Sequence, residues 1–431
     1  MSPAVFATTH GLCNQSPDSP SAGSSSAGTP VAPHGVVKLV AGYPDRYPNV
    51  LHRIRLLLGD MAAFIDATGV GKGTAMIVRN IELPRARKSG QADKVFSPED
   101  LIPPDSGNLS GDRNTAVAQA VAEWCRQQQI RQVSGDTMLP LLFTDVLTRA
   151  GVEVVCDREL GGADRRAKDD WEVEQLQVAQ AATENSIRHA FEILAKSTLG
   201  GDDGVTLQYE GATLTSDRLR GEILSHLLRA GYTHPSAPIV ACGPQGSDCH
   251  HRGEGDLRAG EPIILDVFPR SIDSQYNGDC TRTLVRPLPG NEGIPKTIVE
   301  MHEAVVAAKR AAFDATRTGA LASDLHAAAT RVLSSRGYRI GNPDETELTA
   351  NPDLIFMPHG TGHGIGLETH EPPLLDALNP IPLVNGDALT IEPGLYCPRI
   401  GGLRIEDLVI VRDGGLDNLN TMLSEDLWWG D

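Results

Sequence analysis

Apolar and polar positions change period several times along this chain, and the changes divide it. Between about residues 36 and 160, helical and extended spacing alternate. Residues 115–129 form an Ala- and Gln-rich run with helical periodicity, and 130–133 read as a short strand. Residues 139–150 read as a second helix, stopped by Gly151, and 152–156 as a β-branched strand. This β-α-β-α-β rhythm predicts a small α/β domain. The stretch 161–166 (Gly-Gly-Ala-Asp-Arg-Arg) reads as a linker. A long helix is then predicted over Asp170–Lys196, broken by the glycines of 200–204. Thr215 or Ser216 offers the N-cap of a helix that ends before Gly231. Strands are predicted at Ile239–Cys242, 262–268 and 282–286, and helices at 295–316 and 322–336. The remainder is strand and turn with glycines throughout, and no internal sequence repeat is visible. Residues 1–35 are rich in Ser, Pro, Gly and Ala and bury too little apolar surface to offset their ordering entropy, so a disordered tail is expected there.

The chain has 431 residues, enough for two domains with separate cores. Aromatic residues make up only 4%, so those cores must be aliphatic. The formal net charge of −18 repels phosphate backbones and argues against nucleic-acid binding. The seven cysteines show no C-x-x-C pair, which argues against a zinc ribbon and a secreted disulfide framework, so a reducing, cytoplasmic location is expected. No run of about 18 apolar residues is present, so no membrane span is expected. The N-terminus lacks the basic start and apolar run of a secretory signal.

Candidate chemistry is concentrated between His250 and Glu406. Asp266 ends the apolar strand Ile263-Ile264-Leu265. Asp279 lies in Gly-Asp-Cys-Thr-Arg-Thr. The glycine-rich run from His359 to Glu371 carries His359, His363 and His370. Glu392 lies in Thr-Ile-Glu-Pro-Gly, and Glu406 in Leu-Arg-Ile-Glu-Asp. A carboxylate beside a core strand is costly unless it is paired or binds a cation. One such residue alone is more often a solvated cap or an ion-pair partner, and a lone histidine is more often a satisfied core residue. Four carboxylates with one imidazole make a donor set for two hard or borderline divalent cations. Two other motifs are decoys. Gly69-Val-Gly-Lys-Gly-Thr74 lacks both the spacing and the Ser/Thr after lysine of a phosphate loop. Gly243 to Ser247 forms no Gly-x-Ser-x-Gly elbow. Cys249 and Cys280, which flank candidate residues, read first as small buried apolar residues.

In this order and context the motifs resemble the pita-bread metallopeptidases, the family of aminopeptidase P, prolidase and methionine aminopeptidase. The resemblance covers roughly residues 168–420. It implies metal ligation by Asp266, Asp279, His363, Glu392 and Glu406. His250, rather than His251, His359 and His370 resemble further active-site histidines. Arg404 resembles an arginine that orders the substrate or product end of the site. The earlier α/β region is similar to a creatinase-type N-terminal domain through Glu82-Leu-Pro-Arg-Ala-Arg87, which points to the aminopeptidase P and prolidase branch. The implied organisation is a tail (1–35), an α/β N-terminal domain (36–165) and an α+β pita-bread catalytic domain (166–431).

The chain departs from the family pattern at the first ligand, where Asp-x-Gly is replaced by Asp266-Val267-Phe268. The two aspartates are also unusually far apart, which predicts a lengthened hairpin and makes Asp273 a rival to Asp279. The resemblance implies a peptidase with two divalent ions, Mn2+ first and Zn2+ or Co2+ as alternatives, acting on Xaa-Pro bonds at the N-terminus of peptides or in dipeptides. In the assignment it implies, Asp279 and Glu406 bridge the ions, Glu392 also guides a proton, and a homodimer is expected. A creatinase-like C–N hydrolase of a small molecule and a noncatalytic interaction module share the fold. Both lack the full ligand set.

Overall fold

The computed structural model describes residues 35–104, 108–290 and 293–429. Apart from Gly35, the tail expected over 1–35 lies outside them. The first region is built on a six-stranded sheet: β1 (Lys38–Gly42), β2 (Ala62–Asp66), β3 (Thr74–Ile77), β4 (Lys94–Phe96), β5 (Gln132–Gly135) and β6 (Glu153–Cys156), in the order β4-β3-β2-β1-β5-β6. β1, β2 and β3 form an antiparallel meander, whereas β4, β5 and β6 join in parallel. The expected α/β alternation is therefore preceded by antiparallel strands. β5 starts two residues later than expected, because Ile130 closes the preceding helix through its N–H to Cys125 O.

Alternate residues of these strands face two cores. Leu39, Ile65, Ile77 and Val133 pack on the helices Arg113–Gln128 and Leu141–Arg149, and Val40, Phe64 and Met76 pack on Pro48–Ile54 and Leu83–Ser89. Two-residue alternation with both faces covered is the pattern of a sheet inside a helical sandwich. The glycine-rich decoy is the turn between β2 and β3, where the Thr74 N–H and hydroxyl bind the Asp93 carboxylate.

The helix Asp170–Lys196 begins at the predicted residue. Asp169 accepts from Glu172 N–H, and Glu172 returns a bond to Asp169 N–H, satisfying two otherwise orphaned donors. Its buried face (Ile187, Ala190, Leu194) packs with the helix Ser216–Arg229 over the three antiparallel strands Ile239–Cys242, Ile263–Val267 and Cys280–Leu284. A second helix pair, Lys296–Ala315 and Ala322–Ser335, covers the strands Ala388–Ile391, Gly394–Cys397, Gly401–Arg404 and Asp407–Arg412. The third strand of the first sheet lies two residues before its predicted position. Thr281 and Arg282 are polar, but they are fully buried and paired, so they belong to the ladder opposite Asp266 and Leu265.

The stretch expected as a linker is instead an anchor. Arg165 is buried and ion-pairs with Glu368. Lys168 Nζ lies 2.8 Å from Glu371 Oε2, and Arg165 Nη1 lies 3.0 Å from Glu371 Oε1. Arg166 grips Asp387 with bonds of 2.9 and 2.6 Å. Three closely spaced basic anchors, Arg165, Arg166 and Lys168, thus tie the first region to the strands that carry the histidines. Among the described residues no helix is long and apolar enough to cross a membrane.

Candidate active site

The sheet Ile239–Cys242, Ile263–Val267 and Cys280–Leu284 delivers two aspartates to one cavity. In the ladder Asp266 faces Thr281, so Asp279, just before its strand, comes close to Asp266. Gly278 makes this possible. A Cβ there would lie 2.2 Å from Thr183 Oγ1 and 2.7 Å from Ala179 O, so only glycine lets the chain lie against the long helix. From that helix the Gln180 side-chain amide clamps the Asp279 backbone, accepting from its N–H (2.9 Å) and donating to its carbonyl (2.7 Å). Asp273 is exposed on the outer part of the hairpin, against Leu51, His52 and Trp171, and does not line the cavity. Of the two rival aspartates, only Asp279 lines the cavity.

His363 arrives from the other side. Gly362 precedes it at φ +158, and a Cβ there would sit 2.0 Å from Thr390 O, so the strand can approach its neighbour only with glycine at this point. His363 Nδ1 lies 3.0 Å from Gly364 O, which fixes Nδ1–H as the donor and leaves Nε2 free as a ligand atom. Nε2 is 3.4 Å from Glu392 Oε1 and 3.8 Å from Asp279 Oδ2. Glu406 sits in the short link between the strands Gly401–Arg404 and Asp407–Arg412. Its Oε2 accepts from the Thr281 hydroxyl at 2.7 Å, and its N–H donates to Thr281 O at 3.1 Å. The ligand atoms of Asp279, His363 and Glu406 lie within 4.8 Å of one another. Neighbouring Asp407 is no rival to Glu406, because Arg282 (2.8 Å) and Lys309 (2.5 Å) neutralise it from the opposite side.

Arg404 ties the set together. It donates to Asp266 Oδ2 (2.7 Å), Tyr396 Oη (2.8 Å) and Thr281 Oγ1 (3.1 Å). His359 has both ring nitrogens engaged, Nε2 with Tyr396 Oη at 2.8 Å and Nδ1 with Gly360 O at 2.7 Å. The His370 ring stands edge-on to His363, with centroids 4.3 Å apart. His250 is exposed on the cavity wall, whereas His251 turns away and accepts from Gly253 N–H. All nine sequence-nominated residues line one cavity of about 660 Å³.

Tyr396, Thr281 and Gln180, which support the set, were not among the nominated residues. Tyr396 sits in Gly-Leu-Tyr-Cys, which reads as plain core strand. A buried hydroxyl that must find a partner is the signal that could have singled it out.

Burial pushes Asp279 well above the usual carboxylate range, and the neighbouring carboxylates of Glu406, Asp266 and Glu392 push it further. Glu406 is raised by burial and by Glu392 and Asp266. Carrying charge on Asp279 and Glu406 is therefore costly in the metal-free site. Divalent cations relieve this, and the donor set, oxygen-rich with one oriented imidazole, fits them. A pH dependence follows. Both folded-state pKa values lie above the unfolded ones, so the metal-free native protein holds protons that the unfolded chain releases. This contribution to stability therefore falls as pH rises above about 4. The gain in Tm on adding Mn2+ to chelator-stripped protein should be larger at about pH 8 than at about pH 5. A gain that is equal at both pH values, or reversed, would contradict the assignment.

Residues 174–413 match the model of metallopeptidase family M24. A relative in Mycobacterium tuberculosis named probable dipeptidase PepE is 30% identical over 284 residues, 66% of this chain and 62% of that protein. The Xaa-Pro dipeptidase of Pyrococcus furiosus is 28% identical over 255 residues, 58% of this chain and 66% of that protein. The match thus spans less than two thirds of the length of these relatives. Among solved structures, an X-Pro aminopeptidase from Thermotoga maritima superposes with a TM-score of 0.71 at 18% identity, covering 91% of this chain and 97% of its own. The dipeptidase PepE of Mycobacterium ulcerans gives 0.62 at 25% identity, with 92% of both chains covered. The α/β region followed by a pita-bread α+β region is the fold these structures share.

Proposed function

We propose that this chain, which belongs to metallopeptidase family M24, hydrolyses Xaa-Pro bonds with two divalent ions bound by Asp266, Asp279, His363, Glu392 and Glu406. The observation that carries the proposal is the convergence of these five side chains on one cavity, with Asp279, His363 and Glu406 already at ligand spacing. Relatives named Xaa-Pro dipeptidase and Xaa-Pro aminopeptidase support the proline preference. Mn2+ is the ion we favour for this ligation, ahead of Zn2+ and Co2+.

Such ions supply an acidified water and polarise the scissile carbonyl. Glu392, partly exposed in the cavity and 3.4 Å from His363, receives the nucleophile's proton. Of the two histidines that could donate to the developing oxyanion, His250 is the better candidate, because both His359 nitrogens are already engaged. His370 hydrogen-bonds the substrate or passes a proton to the leaving group. Arg404 holds Asp266 and Tyr396 in register. A homodimer and a cytoplasmic setting belong to the same proposal, on the prevalence of twofold assemblies and the cysteine spacing. So does the division into regions 36–165 and 166–431.

The test is elemental analysis of chelator-free protein together with assays on Xaa-Pro dipeptides and longer Xaa-Pro peptides in Mn2+. About two ions per chain and proline-dependent cleavage are expected. Negligible metal after reconstitution would sink the mechanism. Metal without cleavage before proline would remove the substrate assignment alone.

A further inference from the structure

Ala237, Ile239, Phe268 and Leu374 are apolar residues of the cavity lining, and in the sheets Ile239 pairs with Asp266 and Leu374 with His363. Phe268 follows Asp266 by two positions. Val267, between them, is wholly buried, so the strand alternation sends Asp266 and Phe268 to the same side, and both line the cavity. Two residues of extended chain span roughly 7 Å, about the advance of a peptide over two residues. Phe268 thus lines the same cavity as Asp266, one two-residue step of extended chain away.

The ring is held from behind. The Phe268 N–H donates to His234 Nε2 at 3.1 Å, and the two rings lie 4.2 Å apart between centroids. The other ring nitrogen of His234 is bound to Ser236 O, so Nδ1 carries the proton and the imidazole is neutral. His234 directly follows Thr233, which pairs with Arg270 at the base of the long hairpin. Pro269 restricts the Phe268 backbone to extended conformations. A residue held at its backbone N–H, by a tilted ring contact and by the proline that follows is a preorganised surface rather than a loose cover.

Building on the peptidase reading above, we propose that Phe268, positioned by His234, is the wall of a specificity subsite that takes the apolar side chain of a residue flanking the scissile bond and limits its size. Phe268 is the specificity-determining residue, and His234 is a positioning residue that acts through it.

The test compares Mn2+-loaded wild type, Phe268→Ala, Phe268→Trp and His234→Ala on Ala-Pro, Leu-Pro, Phe-Pro and Leu-Ala peptides, as dipeptides and with a C-terminal extension. Opening the wall in Phe268→Ala should raise kcat/KM for Phe-Pro relative to Ala-Pro by about 10-fold with unchanged metal content. Phe268→Trp should move the same ratio the other way, which keeps the test decisive if the alanine variant folds poorly. His234→Ala should shift the ratio in the direction of Phe268→Ala by a smaller factor. Ratios that stay within about twofold of wild type in both Phe268 variants overturn the subsite while leaving the peptidase reading intact. A metal-loaded wild type that cleaves none of the peptides overturns that reading, and the subsite with it.

Discussion

Asp279→Ala is expected to retain at most half of the divalent metal of the wild type and to lose about 100-fold or more of its peptidase activity, since even residues that only support ligands cost 10–100-fold. Asp279 is buried between His363 and Glu406, and neither neighbouring Asp407 nor the rival Asp273 can take its position. Asp407 is committed to Arg282 and Lys309, and Asp273 is outside the cavity. Misfolding can be separated from ligand loss. The Asp279 backbone is held by Gln180, and these bonds survive removal of the carboxylate. The substitution also removes a buried acid that burial and the carboxylates of Glu406, Asp266 and Glu392 push well above the usual range. The metal-free variant should therefore melt no lower than metal-free wild type. Elemental analysis and calorimetry on the same preparation read both quantities. Full metal content with native activity would overturn the assignment.

Glu371→Gln is expected to destabilise the protein by about 3–5 kcal/mol, the cost of breaking a buried ion pair from one side. Glu371 lies between Lys168 and Arg165, all three buried. Despite the burial, these two cations hold its carboxyl below the usual range. The Arg165 contact is coulombic rather than a hydrogen bond, since the guanidinium Nη1 has no partner in bonding geometry. A lowered folded-state pKa contributes stability above the unfolded value near 4 and loses it as pH falls through the folded value. The difference between wild type and variant in urea unfolding should therefore be full at neutral pH and shrink below about pH 4. A difference under about 1 kcal/mol at pH 7 would mean that the anchor is exposed to solvent in practice.

These two residues also illustrate what a single sequence discloses. The place of Asp279 in the cavity was legible from the motif Gly-Asp-Cys-Thr-Arg-Thr around it and its resemblance to a family pattern. The helix Asp170–Lys196 was legible because its capping box and helical spacing are local. Arg165, Arg166 and Lys168 were not, because a short run of glycines and basic residues looks the same whether water or a buried glutamate 203 positions away satisfies it. The displaced strand at Cys280–Leu284 has the same cause. Thr281 and Arg282 look like surface residues until Glu406 and Asp407, far along the chain, are folded against them. Tyr396 and His234 were missed because their roles are set by partners rather than by neighbours. Propensity reports local preferences, and what it missed here is long-range polar pairing.

That long range has a kinetic side. Arg404 meets Asp266 across 138 positions, and Thr281 meets Glu406 across 125. Closing loops of this length early is entropically unfavourable, and contacts so distant form late on the folding route. A nascent or denatured chain therefore offers divalent ions scattered carboxylates rather than a nucleus. Metal captured by the finished site slows escape from the native state while leaving the rate of reaching it almost unchanged.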